Sequence, residues 1–471
     1  MIGKKDRFQT VSEQKGLQMD FLDITERSYT GEKVSKEDWD IDYVAMQIRD
    51  ILDDYDLDYE KGDVIAFDED TLRRFYAAGR ELALKSGLYN QNTGRIIKVT
   101  EEELDAAAAA QKKEMTVGQG KDAFTFYARH HEDMRKPGVV AGNPGCPMNE
   151  TEFRGTVESW AKEPAVDMIT CGSIVEVNGH TVRNADPSEV MALKLEMKCL
   201  NEITAKVGRP YVGRLGAESS VSQIGDLTAM GPNGLRAGDA HLVAINNELI
   251  MTNDNLIRAA ASEGTGILNA SLACVMVGGM AGNAAGAAIC MIASMLLANV
   301  VLRADYHLCH PIHLTQIATS SRECMWLQSV VCQAFELCAP NIIVCDIYPK
   351  SGAGTKELLY EVAAEAIVIT VSGGHLEGCG SCDGIKPNCS GLECRMVGEV
   401  AAAAAKQGLT REQGDVIVKK LLEKYEHVLT GKNEGLPFDQ VYDVEKMEPL
   451  PFWQAMFDEV KAELQGLGLQ I

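Results

Sequence analysis

Three histidines recur at every third position of "DYHLCHPIHL", as His307, His310 and His313. A metal would need all three aimed at one point, and that spacing in an extended segment does not put them on one face. Hydrogen-bonded pocket or core positions are the favoured reading, with His307 in the core. Asp346 and Tyr348 in "NIIVCDIYP" alternate, so they share a face. An acid and a phenol placed together either bind a cationic or polar substrate or form a structural hydrogen-bonded pair. Glu218 and Ser222 follow another short apolar run that ends in Arg214 and Leu215, and Asn143, Cys146, Cys171, Ser173 and Glu248 occupy comparable junctions. Cys379, Cys382, Cys389 and Cys394 lie within "CGSCDGIKPNCSGLEC". A C-x2-C pair with two further cysteines is a donor set for structural zinc or an iron–sulfur cluster. The spacing fits no familiar pattern well, so free or paired thiols are preferred, with the metal as the alternative.

The elements that must carry these residues alternate regularly after about residue 137. Short apolar runs such as "PGVVAGNPG", "YVGRL", "HLVAINNEL", "ILNASLACV" and "NIIVCDIYP" each precede a longer helical stretch. Nearly continuous apolar strands imply a parallel sheet covered by helices. No glycine fingerprint opens a dinucleotide site and no Walker sequence occurs, which favours an α/β fold of the TIM (β/α)8 barrel type over an open doubly wound sheet. The expected division is an N-terminal helical extension over 1–135, a barrel over 136–400, and a C-terminal helical tail over 401–471 packed on the barrel. A barrel draws its chemistry from the carboxyl ends of its strands, where these polar residues stand. Hairpins are expected at "YNQNTGRIIKV" and "VEVNGHTV". One helix start is well marked, with Asp186 as N-cap, Pro187 in the first turn, and Glu189 placed to complete a capping box.

The chain has 471 residues and a formal charge of −23, from 68 acidic against 45 basic residues. That balance argues against nucleic acid as a partner, because such a surface would be basic. No charge occurs from Gly264 to Leu302, long enough for a membrane span, yet turn signals divide the stretch into strand, loop and helix. No membrane role is expected. The opening "MIGKKDRFQTVSEQ" lacks a signal peptide's apolar run, and fourteen cysteines in a chain this long suit reduced thiols in a cytoplasmic enzyme.

Taken in order, "EKVSKEDWD", "AGRELALKSGLYNQNTGRIIKVTEEEL", "GRPYVGRLGAESSVSQIG", "HLVAINNEL", "VGGMAG", "DYHLCHPIHL", "IYP" and "GLECRMVGEV" give the chain a likeness over nearly its full length. It resembles the monomethylamine:corrinoid methyltransferases of methylotrophic methanogens. The resemblance implies a TIM-barrel subunit, a homohexamer, and transfer of a methyl group from an amine nitrogen to the Co(I) corrinoid of a separate carrier protein. No cofactor is expected to bind this chain tightly.

The family's signature is pyrrolysine, whose imine ring captures and orients the methylamine. With "GRP" before it and Gly216 and Glu218 after it, that position falls on Leu215. The family's two active-site glutamates fall on Leu242 and Leu272, and its glutamine on Asp346. The tyrosine is retained as Tyr348, and the histidine beside the first glutamate as His241. Leucine has no electrophilic carbon and no proton to give, so no adduct forms at residue 215. Three reactive positions turned to leucine together describe a pocket rebuilt for another ligand.

A quaternary ammonium already leaves as a neutral amine and needs no adduct. Its methyl groups donate no ordinary hydrogen bonds, so apolar walls and one carboxylate suit it. The expected enzyme is a pyrrolysine-free methyltransferase acting on a methylated amine, with a quaternary amine as one option. Tyr348, Asp346 and His241 are its candidate catalytic residues, with Leu215, Leu242, Leu272, Glu218, His310 and His313 around the substrate. A barrel lyase or isomerase using Asp346, Tyr348 and His310 or His313 stays open, as does a non-catalytic small-molecule-binding barrel.

Overall fold

A computed structural model describes residues 20–471, and the N-terminal stretch considered for a targeting signal lies outside them. Eight strands close into a barrel with every neighbouring pair parallel. They are β1 (Val139–Ala141), β2 (Met168–Ile169), β3 (Gly213–Gly216), β4 (Ala240–Ile245), β5 (Leu268–Val277), β6 (Tyr306–His313), β7 (Ile343–Asp346) and β8 (His375–Glu377). β8 pairs with β1, and β1 with β2, which completes the closure.

The apolar stretch without charge becomes β5 and the helix Ala284–Val301. That helix is long and apolar enough to cross a membrane, but every residue in it is buried. The N-terminal helix Glu69–Ser86 lies across it, and a Cβ at Gly79 would stand 2.5 Å from the Ile292 side chain. Only a glycine lets the two helices approach so closely. The tail helices Arg411–Tyr425 and Pro451–Gly466 pack on the barrel helix Lys356–Val371.

Residues before the barrel are not only helical. The expected hairpin forms from Leu88–Asn90 and Arg95–Ile97, and a second one, Glu114–Val117 with Phe124–Tyr127, was not anticipated. Met115, Val117 and Phe126 of this second hairpin join the lumen cluster of Val140, Met168, Leu215 and Val344. The hairpin is thus a plug across the amino-terminal end of the barrel. His375 fastens it: Nδ1 accepts the Gly138 N–H at 2.8 Å, and Nε2 faces the Tyr127 carbonyl at 2.8 Å. Burial holds this imidazole neutral, pushing its pKa down to about 3. With its lower end stoppered, the barrel opens only at its carboxyl end.

The hairpin "VEVNGHTV" forms through Asn178 and Gly179, both at positive φ as a tight type I′ connection needs. Asp186 caps the helix Pro187–Lys206 through the Ser188 N–H at 2.9 Å. Glu189 departs from the capping-box expectation. Its carboxylate accepts the Ala185 N–H, and also those of Val221, Ser222 and Gly225 in the loop after β3.

Candidate active site

Exposure along the central strands locates the cleft. On β4 and β5 the residues facing the covering helices are buried, while Leu242, Ala244, Leu272, Cys274 and Met276 on the other face are partly accessible. Side chains alternate across a strand, so the accessible row is the lumen row, reached from the open mouth. Leu242 and Leu272 pack against the lumen cluster that contains Leu215, Leu308 and Val344. Leu215 lies deepest of the three and is 1% exposed. The three leucines therefore form one apolar wall.

Polar groups stand above that wall on the following strands. His310 Nδ1 lies 2.7 Å from Asp346 Oδ2. The Tyr348 ring meets the His310 ring edge-on, with centroids 4.8 Å apart, and its phenol donates to the Pro144 carbonyl at 2.5 Å. Gly380 and Gly384 back this ring: a Cβ at Gly380 would collide with it. The glycine-rich segment 378–384 is therefore a seat for Tyr348. Glu218 enters from the loop after β3 and accepts a hydrogen bond from Thr170 at 3.2 Å. Glu377 ends β8 in register with Asp346.

Burial dominates the electrostatics of this group. It pushes the carboxyls of Asp346, Glu218 and Glu377 above their ordinary range; His310 opposes the shift at Asp346, and the neighbouring carboxylates add to it at the other two. The Tyr348 phenol is raised by the same burial and stays protonated at neutral pH. Three buried acids and one imidazole therefore share this part of the lumen.

Buried carboxylates on the outer helices hold the mouth loops in place. Glu196 accepts the N–H groups of Glu218 and Ser219 at 3.2 and 2.7 Å. Glu361 accepts those of Lys350 and Ser351 at 2.7 and 3.1 Å. Each fixes the backbone beside a site residue, Glu218 in one case and Tyr348 in the other.

Of the residues singled out in the sequence, the structure brings together Leu215, Leu242, Leu272, Glu218, His310, Asp346 and Tyr348. His241 is not among them. Strand alternation puts it on the outer face of β4, fully buried, with Nδ1 2.7 Å from Asp226 Oδ2 and Nε2 2.7 Å from Asn269 Oδ1. His313 stands at the rim, its Nδ1 accepting the Thr315 and Gln316 N–H groups at 3.3 Å. His307 is a core residue bonded to Ser271 at 2.9 Å, and burial lowers its pKa to about 3.

The cysteine segment holds Cys379, Cys382, Cys389 and Cys394. Among the described residues no three His, Cys, Asp or Glu side chains gather as a metal set, and all four thiols are free and buried. Glu377 was missed in the sequence. It follows His375 by two residues, the same alternation that marked Asp346 and Tyr348, but the run "HLE" is too short for its face to be read.

A closed (β/α)8 barrel with its cleft at the carboxyl ends of the strands defines the general class, a TIM-barrel enzyme. Within that class the chain belongs to the monomethylamine methyltransferase MtmB family, whose model matches residues 19–469. It is 32% identical over 452 residues to monomethylamine methyltransferase MtmB2 of Methanosarcina acetivorans, covering 96% of this chain and 98% of that one. MtmB1 of Methanosarcina barkeri gives the same figures. The crystal structure of the Methanosarcina barkeri monomethylamine methyltransferase superposes with a TM-score of 0.93 at 31% identity, covering 96% of this chain and 99% of that one.

Proposed function

We propose that this protein moves a methyl group from a methylated amine, a quaternary one, to the Co(I) corrinoid of a separate carrier protein, without pyrrolysine. The observation that carries the reading is the joint wall of Leu215, Leu242 and Leu272 facing the His310–Asp346 pair. Such a wall offers no electrophile toward an amine. The site offers apolar contact for methyl groups and negative charge for a cationic nitrogen.

In the step proposed, the N–CH3 bond breaks with its electron pair going to nitrogen, which departs as a neutral amine. The carbon bonds to cobalt with the electron pair that Co(I) supplies. No proton need move, so the protein contributes mainly by positioning, with the carbon held in line between the leaving nitrogen and the cobalt arriving at the mouth. Asp346 supplies the counter-charge. Tyr348, latched to Pro144, sets the position of His310 and the rim. His241 acts at one remove, tying β4 to Asp226 and Asn269 so that Leu242 keeps its place.

The carrier protein is the partner this reading requires, and the corrinoid stays with it. A homo-oligomer, a hexamer as the resemblance implies, working in the cytoplasm completes the proposal. A donor screen with the reduced carrier tests it: quaternary amines, tertiary amines and methoxylated compounds are compared by loss of the Co(I) absorbance. Methylation from a quaternary amine supports the reading, and transfer only from methoxylated compounds rejects it.

A further inference from the structure

Glu377 is a lumen carboxylate that the methyl-transfer step leaves without a role. It ends β8 directly opposite Asp346 on β7, with Val140 of β1 on its other side, and it is 2% exposed. Among the described residues its Oε2 has no hydrogen-bond donor, and neither has Oδ1 of Asp346. A third group nearby is also unpaired: the phenol oxygen of Tyr306, fully buried on the lumen row of β6. A buried polar atom without a partner carries a large desolvation cost. Two carboxylate oxygens and a phenol left so together, at the edge of a leucine wall, fit a ligand that brings positive charge.

We infer that Glu377 and Asp346 form a two-carboxylate seat for the substrate's cationic nitrogen, and that a cation enters this seat in exchange for a proton. The inference rests on the amine reading for its ligand and adds the residue and the proton that the reading lacks. Strand pairing sets the geometry. Opposed residues on neighbouring parallel strands stand about 5 Å apart, so two ionised carboxylates there repel strongly in a dry cleft. One proton on the pair relieves that repulsion while the seat is empty, and a bound cation relieves it instead. The proton goes to solvent, so charge balances.

The surrounding groups favour this exchange. On β6, the His310 imidazole is hydrogen-bonded to Asp346, and Tyr306 carries no charge to offer. Glu218 and Cys274 reach the lumen from the β3 loop and β5, Tyr348 stands above, and Glu365 lies behind in the helix layer. Burial raises each of these acids as well, so none supplies the missing positive charge.

Calorimetric titration of the purified full chain with tetramethylammonium chloride, in buffers of different ionisation enthalpy at neutral pH, reads the exchange directly. The expected result is release of roughly one proton per bound cation, with affinity rising up to about tenfold per pH unit. E377Q should keep the melting temperature near wild type, abolish the proton release and flatten the pH dependence. Should E377Q fail to fold, E377D serves: it keeps the charge on a shorter arm, so the release persists and the affinity falls. Proton-free binding by the wild type, or unchanged release in E377Q, overturns the seat, as does equal release with potassium chloride. Binding of neither tetramethylammonium nor methylammonium also overturns it. Methylammonium bound with proton release while tetramethylammonium is refused would keep the seat and sink the quaternary reading.

Discussion

Nδ1 of His310 lies 2.7 Å from Oδ2 of Asp346, across the carboxyl ends of adjacent strands. The contact occupies one carboxylate oxygen and leaves the other without a donor among the described residues. An acid that is half-paired, buried and set above leucines is an unusual use of a barrel's mouth. It gains no stability from its free oxygen, and a cationic ligand is what would make that oxygen useful.

Asp346→Asn removes the counter-charge while keeping the shape. The expected effect is a rise of about 10- to 100-fold in the KM for a cationic donor, the scale of a lost charge-assisted contact. Tyr348→Phe breaks the latch to the Pro144 carbonyl but leaves the ring against His310. Its kcat should fall roughly tenfold with KM little changed, as expected when positioning is lost and ground-state binding is kept. Steady-state kinetics on the two variants separates these patterns.

Leu215→Ala opens a cavity where a leucine is 1% exposed. The expected cost is about 2–5 kcal/mol of stability, read from denaturant midpoints. Leu242→Ala removes a partly accessible side chain from the same wall and should cost clearly less. Equal losses would mean that Leu215 does not lie deeper in the lumen than Leu242.

Much of this was legible from the sequence because barrels repeat. The alternation of apolar runs and helices marked the strands, and Asp346 with Tyr348 declared a shared face by their spacing. Side-chain direction was harder to read. His241 and Leu242 are adjacent, so one faces the lumen and the other the helices, and only the observed register decides which. The plug hairpin was hidden because Glu114–Val117 and Phe124–Tyr127 are short and lie among helices. Glu189 reads as a capping-box residue and Glu196 as an ordinary helix residue, since the sequence does not show that their partners are backbone N–H groups of the loop after β3.

Glu361 ties the mouth to pH. Burial raises its pKa to about 7 from an ordinary 4.5, against the hydrogen bonds that favour its charge. A raised acid binds more protons folded than unfolded across that window. Its contribution to stability is therefore full below about pH 4.5 and is lost as pH rises through about 7. Glu361→Gln should flatten part of that decline in urea midpoints measured from pH 4.5 to 8. Glu393, also raised to about 7, should preserve the remainder.

The central claim is that the leucine wall replaces the adduct chemistry by accepting a donor that needs none. The direct measurement mixes the purified protein with its reduced carrier and follows Co(I) converting to methyl-cobalt, with tetramethylammonium and monomethylamine supplied separately. The account predicts conversion with tetramethylammonium and none above the enzyme-free rate with monomethylamine. Rapid conversion with monomethylamine, in protein whose intact mass confirms an unmodified leucine at position 215, would contradict it.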